Sequence, residues 1–493
     1  MSIPSQKTWM LLLFILSIGA QYGYQESISK SAAGMPGKLM YSAGLMKTGD
    51  DPSYLNPPLN YLRHEVWKGT GNSPSAHYQR PPGYGLFLLP ALKWAELKGQ
   101  DYGTIIRYTQ MLWNALVPVF VFLLLYCIFR KELIAFFFGM VALLPIFTSY
   151  SNYLLSEAVT PVLLLIFFFI LLTRPKWPPL LGAILGILIL VRPIFILLLG
   201  VTASVLFLKH RSLKFTVLLS FFALLPWTIW EVRNQYYNKP YVSIQQVFHP
   251  VYDPSNTTYW RLPHEGLYAL VKLSNPDPVH FHQWHKTHWK KNINQDRIDT
   301  VQFMRDLLGV EITELMSSSE IERLVKTYLE TWNEIPAWSS KGLFSPKELE
   351  LSKELTMLAE RYKSEHFWSA QISVPFKVLF DLLFHSHLNH PSFWKKDYNA
   401  FERFISVFCS CFFLSTFLLT FAAPWFIRIR KGNLPDSALS LIDVNALFIL
   451  IYLFYLAWIQ RGVEMRYVYP LLSLALLSSV VLLTHVFCRK PQI

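Results

Sequence analysis

Apolar residues fall along this chain in blocks of roughly 17 to 25, the length that about 30 Å of hydrocarbon requires of a helix. Polar residues collect between the blocks, most densely in two long intervals. The pattern predicts ten membrane spans, at 8–26, 107–129, 133–149, 154–173, 179–191, 194–208, 214–231, 402–427, 440–459 and 467–487. The difficult stretch is Pro178 to Leu208, with Arg192-Pro193 at its middle. On one long helix that arginine would sit at mid-membrane at a cost of about 2.5 to 3.5 kcal/mol, and the proline would remove a backbone donor beside it. Two short helices meeting at Arg192 avoid both costs. The expected architecture is an all-α integral membrane protein in three parts. A module over 1–231 includes a first loop at 27–106, a large, partly helical loop covers 232–401, and membrane helices close the chain at 402–493.

Charge sets the orientation. Arg174 and Lys176 flank the Arg192 hairpin on one side and Lys209, Arg211 and Lys214 on the other, so the positive-inside rule puts both flanks on the cytoplasmic face. The same reading gathers Lys7, Arg130, Lys131, Arg428, Arg430, Lys431, Arg489 and Lys490 inside. Only Arg192, Arg461 and Arg466 remain on the short outer turns. Both termini are then expected inside and both long loops outside. Lys7 precedes the apolar run Trp9 to Gly19 as in a signal sequence, but no small-x-small cleavage site follows, and a retained span is expected. In the first loop, Leu86 to Leu97 is too short to span and reads as an interfacial helix. In the second, Ile298 to Leu308 and Pro346 to Lys363 carry helical periodicity, and Val374 to Leu383 is amphipathic. No internal repeat of the kind expected in many transporters is visible.

Composition narrows the class. Hydrophobic residues make up 52% of the chain and charged ones 16%, against about 25% charged in a soluble domain. With a mean hydropathy of +0.29, this excludes a disordered chain, a coiled coil and an ordinary soluble enzyme. The net charge of +13 lies largely beside apolar blocks, and no basic run is interleaved with aromatics in a polar segment, so no nucleic-acid partner is expected. Cys127, Cys409, Cys411 and Cys488 all fall inside or at the ends of apolar blocks, which leaves the loops no disulfide framework or zinc spacing. His280, His282, His285 and His288 are the most tempting metal cluster, yet with Trp284 and Trp289 interleaved they read as structural or lipid-contacting. Asn256-Thr257-Thr258 is a glycosylation sequon.

The candidate chemistry lies at one topological level. Asp50-Asp51, Arg80, Glu157, Arg192, Glu231 with Arg233, and Glu464 with Arg466 come from distant stretches of chain yet all fall at the expected outer face. Charges near a bilayer are costly and often functional. Arginine forms bidentate bonds to phosphate and a carboxylate accepts a proton from a hydroxyl, so the set suits an anionic lipid headgroup. Blander readings stand beside this one. Gly49-Asp50-Asp51-Pro52 could be a turn or helix cap, Glu157 could cap its span, and the arginines could be interface anchors.

Five motifs in order carry a resemblance: Asp50-Asp51-Pro52-Ser53-Tyr54-Leu55 followed by Arg80-Pro81-Pro82-Gly83-Tyr84, then Leu155-Ser156-Glu157, Val191-Arg192-Pro193, Pro226-Trp227-Thr228 to Arg233-Asn234, and Arg466-Tyr467-Val468-Tyr469-Pro470. The chain resembles the GT-C glycosyltransferases, among them the protein O-mannosyltransferases and lipid A aminoarabinose transferases. It departs from their pattern in having Asp51 where the best-known members have glutamate, and in the long loop after the seventh span. The resemblance implies a GT-C-like fold and transfer of a sugar from a polyprenyl-phosphate donor to a protein, lipid A or glycan acceptor hydroxyl, with inversion. It also implies a bacterial inner membrane with the site on the periplasmic face. The catalytic carboxylates would be Asp50 and Asp51, with the spacing to Tyr54 favouring Asp50 as the base. Arg80, Arg192, Arg233 and Arg466 would bind the donor phosphate, and Tyr54, Tyr84, Glu157 and Tyr467 would line the substrate. No metal ligands are assigned, although the family leaves a divalent cation open. The rival expectation is a transporter or flippase of a lipid-linked substrate, using the same arginines without a base.

Overall fold

The computed structural model describes residues 5–33, 40–41, 44–48, 50–69, 80–237, 265–274, 302, 305, 308–339, 345–393, 398–429 and 434–487. The histidines at 280–288, the sequon at 256–258, Cys488 and most of 298–308 lie outside the described residues. The first half is a run of helices: α1 (Gln6–Ala33), α2 (Asp51–His64), α3 (Gly83–Lys98), α4 (Tyr102–Asn114), α5 (Leu116–Phe129), α6 (Glu132–Val141), α7 (Thr160–Thr173), α8 (Pro178–Val191), α9 (Ile196–His210) and α10 (Leu213–Tyr237). Then come α11 (Glu265–Ser274), α12 (Ser318–Ser339), α13 (Pro346–Glu365), α14 (Val374–Leu383), α15 (Ala400–Ile429), α16 (Asp436–Phe454) and α17 (Leu472–Phe487).

A helix falls within each of the ten expected spans, although α6 and α7 cover only part of 133–149 and 154–173 and α1 is not among the runs apolar enough to cross a membrane. Among the described residues, six helical runs are long and apolar enough to cross a membrane: Tyr102–Phe129, Pro193–His210, Leu213–Tyr236, Ala400–Ile429, Asp436–Gln460 and Met465–Phe487. Helices α6, α7 and α8 are shorter apolar helices beside them. The chain is an all-α integral membrane protein. The hairpin at Arg192 forms as the charge argument requires. Helix α8 stops at Val191, Arg192 is extended, and the turn Pro193–Phe195 opens α9.

Two glycines set the next contact. A Cβ at Gly182 would meet the Leu219 carbonyl at 2.5 Å, and one at Gly186 the Ala223 carbonyl at 2.9 Å. Their absence of side chain lets α8 and α10 lie backbone against backbone. Because 182 faces 219 and 186 faces 223, the two helices run parallel, and the end of α10 near residue 230 comes level with Arg192.

The span expected at 133–149 is interrupted. A proline biases the residue before it away from the helical region, and α6 ends at Val141 ahead of Leu144-Pro145. The chain then runs through the interior as turns and short 3-10 pieces as far as Val159. Irregular backbone at this depth must find its partners within the protein, and α4 supplies them. Gln110 Nε2 donates to the Ser151 and Tyr153 carbonyls at 2.9 and 3.0 Å, Trp113 Nε1 to the Val159 carbonyl at 3.1 Å, and Asn114 Nδ2 to the Ala158 carbonyl at 2.6 Å. This scaffold holds Ser156 and Glu157 in place.

The described parts of the large loop form a helical unit with its own core. Leu270 and Val271 of α11, Ile321, Leu324 and Val325 of α12, and Leu351, Leu355 and Tyr362 of α13 are buried together. Helix α12 is not among the expected helices, although Ile321, Leu324 and Val325 recur at i, i+3 and i+4. Arg461 ties this unit to the bundle: Nη1 donates to the Ala370 carbonyl and Nη2 to Gln371 Oε1, each at 2.7 Å.

Candidate active site

Asp50 precedes α2, whose first turn is fixed by Pro52. At that position an aspartate commonly caps the helix with its side chain, but the Asp50 carboxylate makes no capping bond. The local work falls to its carbonyl, which accepts from Ser53 N at 3.0 Å and Ser53 Oγ at 2.6 Å. The carboxylate is thereby left for two arginines: Arg80 Nη2 reaches Oδ1 at 2.5 Å and Arg466 Nη1 reaches Oδ2 at 2.7 Å. The cap reading of Asp50 therefore does not hold.

Asp51, one residue on, serves another purpose. It is buried, accepting from Thr48 Oγ1 at 2.5 Å, Thr48 N at 3.0 Å and Tyr41 hydroxyl at 3.0 Å. Those bonds fasten Tyr41 and Thr48 to the start of α2. The two neighbours differ electrostatically as well. Burial pushes the Asp50 carboxyl up, but the charges of Arg80 and Arg466 outweigh it and hold Asp50 below the ordinary carboxylate range. At Asp51 burial wins over the Thr48 and Tyr41 bonds, and its carboxyl lies above that range.

Arg466 extends the cluster. Its Nε binds Glu464 Oε2 at 2.7 Å and lies 3.9 Å from Glu157 Oε1. Glu157, in the turn Ser156–Ala158 ahead of α7, has a side chain only 3% exposed. It faces Arg192 Nη1 at 3.3 Å and accepts from Ser156 Oγ at 3.2 Å. Tyr467 lies between two guanidiniums, with Arg192 4.9 Å and Arg466 5.2 Å from its ring centroid. Arg80 covers Tyr54 at 5.0 Å, and Tyr54 meets Tyr84 edge to face at 5.0 Å. The Tyr84 hydroxyl is buried and donates to Gln110 Oε1 at 2.5 Å, which makes it a support for the irregular 142–159 segment.

Of the twelve residues singled out in the sequence, Asp50, Arg80, Arg466, Glu464, Glu157, Arg192, Tyr54 and Tyr467 meet at this place, and Glu231 does not. Asp51 and Tyr84 sit behind it. Arg233 lies among other partners: it donates to the Trp67 carbonyl and, at 2.9 Å, to Asn234 Oδ1, and it covers the Trp230 ring at 4.7 Å. The supporting residues Ser53 and Gln110 were not singled out. For Gln110 a signal existed, because Arg107, Gln110 and Asn114 recur at i, i+3 and i+7 in the first turns of an otherwise apolar run.

Arg80, Arg192 and Arg466 balance Asp50, Glu157 and Glu464, so the cluster is neutral with all six ionised. Each of the three carboxylates has an arginine within reach. Among the described residues, no group of three or more His, Cys, Asp or Glu is placed to hold a metal ion. With each carboxylate already paired to an arginine, the residues here do not fit a divalent-cation site.

Fold and site together define an integral membrane protein with a partly buried arginine–carboxylate cluster at one end of its helix bundle. Compared with solved structures, the chain is similar to the crystal structure of the Archaeoglobus fulgidus oligosaccharyltransferase tethered by a disulfide bond to an acceptor peptide containing the NVT sequon. The TM-score is 0.45 and the identity 12%, over 98% of this chain and 50% of that one. The chain thus spans about half the length of that protein. No protein-family model matches the chain, and no curated protein does.

Proposed function

We propose that this protein transfers a sugar from a polyprenyl-phosphate donor to an acceptor hydroxyl, with Arg80 and Arg466 binding the donor phosphate and Asp50 taking the acceptor proton. The observation that carries the reading is the bonded group Arg80–Asp50–Arg466. It joins residues from motifs at two ends of the chain that resemble, in order, those of GT-C glycosyltransferases. Arg192 and Glu157 back this group, and Tyr54 and Tyr467 wall it.

The chemistry follows from the charges. The acceptor oxygen attacks the anomeric carbon from the face opposite the phosphate. The bond between that carbon and the phosphate oxygen breaks, its electron pair leaves with the phosphate, and the sugar inverts. The acceptor proton passes to Asp50. Arginines aimed at the departing phosphate stabilise the charge it gains. With no donor bound, Asp50 occupies both arginines and is a weak base. An incoming phosphate competes for the same guanidiniums, and a carboxylate released from them gains basicity. The base is thus armed by the donor. The site faces the periplasm of a bacterial inner membrane, the helical unit tied down by Arg461 covers it, and the acceptor is a protein, lipid A or glycan hydroxyl.

The test uses the purified full chain in lipid vesicles with a panel of polyprenyl-phosphate sugars. Sugar release from one donor together with sugar appearing on an added acceptor is the expected result. Movement of intact lipid-linked sugar across the bilayer, with no transfer in any combination, would replace this reading with a flippase.

A further inference from the structure

Four polar atoms at the end of α10 are sealed from solvent and bonded to nothing. They are Trp230 Nε1, both carboxylate oxygens of Glu231, and Asn234 Nδ2. Trp230 is 6% exposed and Asn234 is fully buried. A buried donor or acceptor left unmade carries its full desolvation cost, and here two donors and two acceptors carry it within five consecutive residues. Such a set is an arrangement that awaits a partner with both hydroxyl hydrogens and hydroxyl oxygens.

The place lies at the level of the arginine cluster, one layer of packed side chains away from it. The parallel α8–α10 register sets residue 230 level with Arg192, and a Cβ at Gly83 would meet the Leu190–Val191 backbone at 2.5 Å, which fixes the start of α3 at that level. From the orphaned atoms, contacts lead back to Arg80. Arg233 covers Trp230 and bonds Asn234 Oδ1 and the Trp67 carbonyl. The Trp67 indole lies against Gly85, where a Cβ would come within 2.9 Å of it. Tyr84, next in chain, packs on Tyr54, and Tyr54 lies under Arg80.

We infer that Trp230, Glu231 and Asn234 form a subsite for the sugar ring of the lipid-linked donor. The Glu231 carboxylate accepts from two neighbouring hydroxyls, while the indole N–H and the amide N–H donate to ring hydroxyl oxygens. Arg233, assigned to the donor phosphate by resemblance, becomes a positioning residue that holds Trp230 and Asn234 in place. The inference rests on the transfer reading above and adds to it where sugar identity is read.

Equilibrium binding to the purified full chain in lipid separates the two ideas. The probes are a radiolabelled isoprenyl phosphate without sugar and a panel of isoprenyl-phosphate hexoses. At least one hexose lipid is expected to bind more tightly than the bare phosphate. Glu231→Gln and Trp230→Phe should each weaken that hexose lipid by about tenfold, the scale of one hydrogen bond to a buried or charged partner, and leave the bare phosphate unchanged. Glu231→Gln should also leave the melting temperature of the ligand-free protein unchanged or raised, because neither carboxylate oxygen has a bond to lose. A lowered melting temperature, equal weakening of both probes, or wild-type affinity for every hexose lipid would overturn the subsite. Wild-type affinity of Arg466→Ala for the bare phosphate would instead overturn the transfer reading.

Discussion

Asp50 Oδ2 accepts from Arg466 Nη1 at 2.7 Å although the two residues stand 416 positions apart. The bond joins the residue before α2 to the segment that opens the last membrane helix. It is one of three that Arg466 brings to the cluster's carboxylates, the others being to Glu464 and, more distantly, Glu157. Each end of the chain thus supplies what the other lacks.

On the proposed reading, arginine at 466 serves by its shape as well as its charge. A guanidinium forms two parallel bonds to a phosphate, whereas lysine offers a point charge. Arg466→Lys is expected to lower the initial transfer rate, and Arg466→Ala to lower it further, by about 2 to 4 kcal/mol of transition-state stabilisation. The measurement is rate against donor concentration for purified variants in lipid, with folding checked by thermal melting. An unchanged rate in a well-folded Arg466→Ala protein would make this arginine an interface anchor.

The neighbouring aspartates should separate cleanly. Asp50→Asn is expected to abolish transfer at nearly unchanged fold, since the amide is isosteric and its site is partly open. Asp51→Asn removes a carboxylate that holds Thr48 and Tyr41, and should cost about 1 to 3 kcal/mol of stability with transfer reduced only in proportion to the folded fraction. Transfer by the Asp50 variant together with its loss in a folded Asp51 variant would reverse the roles.

Acid should expose the Asp50 pairing. Its carboxyl is held below the ordinary range because Arg80 and Arg466 together outweigh burial, so the folded state binds the proton more weakly than the unfolded chain. The stabilisation is therefore fully present above the unfolded value of about 3.9 and is lost as pH falls through the lower folded value. The melting-temperature gap between wild type and Asp50→Asn should hold constant from neutrality to about pH 5 and close at more acid pH. A gap that widens on acidification would mean that the carboxyl is raised, with burial dominant.

Much of this architecture was legible because lipid imposes a length on apolar runs. The same physics resolved the Arg192 hairpin, where one long helix would have buried a guanidinium beside a proline. Read from its apolar run alone, the third span passes unbroken through Pro145, whose local signal for a break was there, but the depth of that break depended on Gln110 and Asn114 being able to bond the freed carbonyls, a tertiary fact. Charge placed Asp50, Glu157, Arg192 and Arg466 at one level. It could not decide between Asp50 and Asp51, since that choice turns on which carboxylate α2 rotates toward Arg466. Nor could it show that Arg233 bonds the Trp67 carbonyl instead of joining the cluster, because that is a contact between segments 166 positions apart.

Glu157 and Arg192 should behave as a buried pair. Their side chains are 3% and 9% exposed, and removing one partner leaves the other charged and desolvated. Glu157→Gln alone is expected to destabilise by about 3 to 5 kcal/mol, and the double variant with Arg192→Met by less than the sum of the singles. The measurement is a double-mutant cycle by denaturant or thermal unfolding in detergent. Strict additivity would show that the 3.3 Å contact carries no coupling.

Orientation follows from which end of the bundle each segment occupies. Glu320 is an exposed residue of α12, in the helical unit that Arg461 fastens to the bundle three residues before Glu464. Ser212 lies in the turn between α9 and α10, at the far end of α9 from Arg192 and beside Lys209, Arg211 and Lys214. By the positive-inside rule that basic turn is expected in the cytoplasm, and the Arg466 end, with Glu320, is then expected outside. In a variant lacking Cys127, Cys409, Cys411 and Cys488, Glu320→Cys should react with a membrane-impermeant maleimide on intact cells. Ser212→Cys should react only after the membrane is opened. Labelling of both positions from one side would remove the common level on which Asp50, Arg192 and Arg466 are placed. Labelling of Ser212→Cys alone would turn the site toward the cytoplasm, where an acceptor would have to be sought instead.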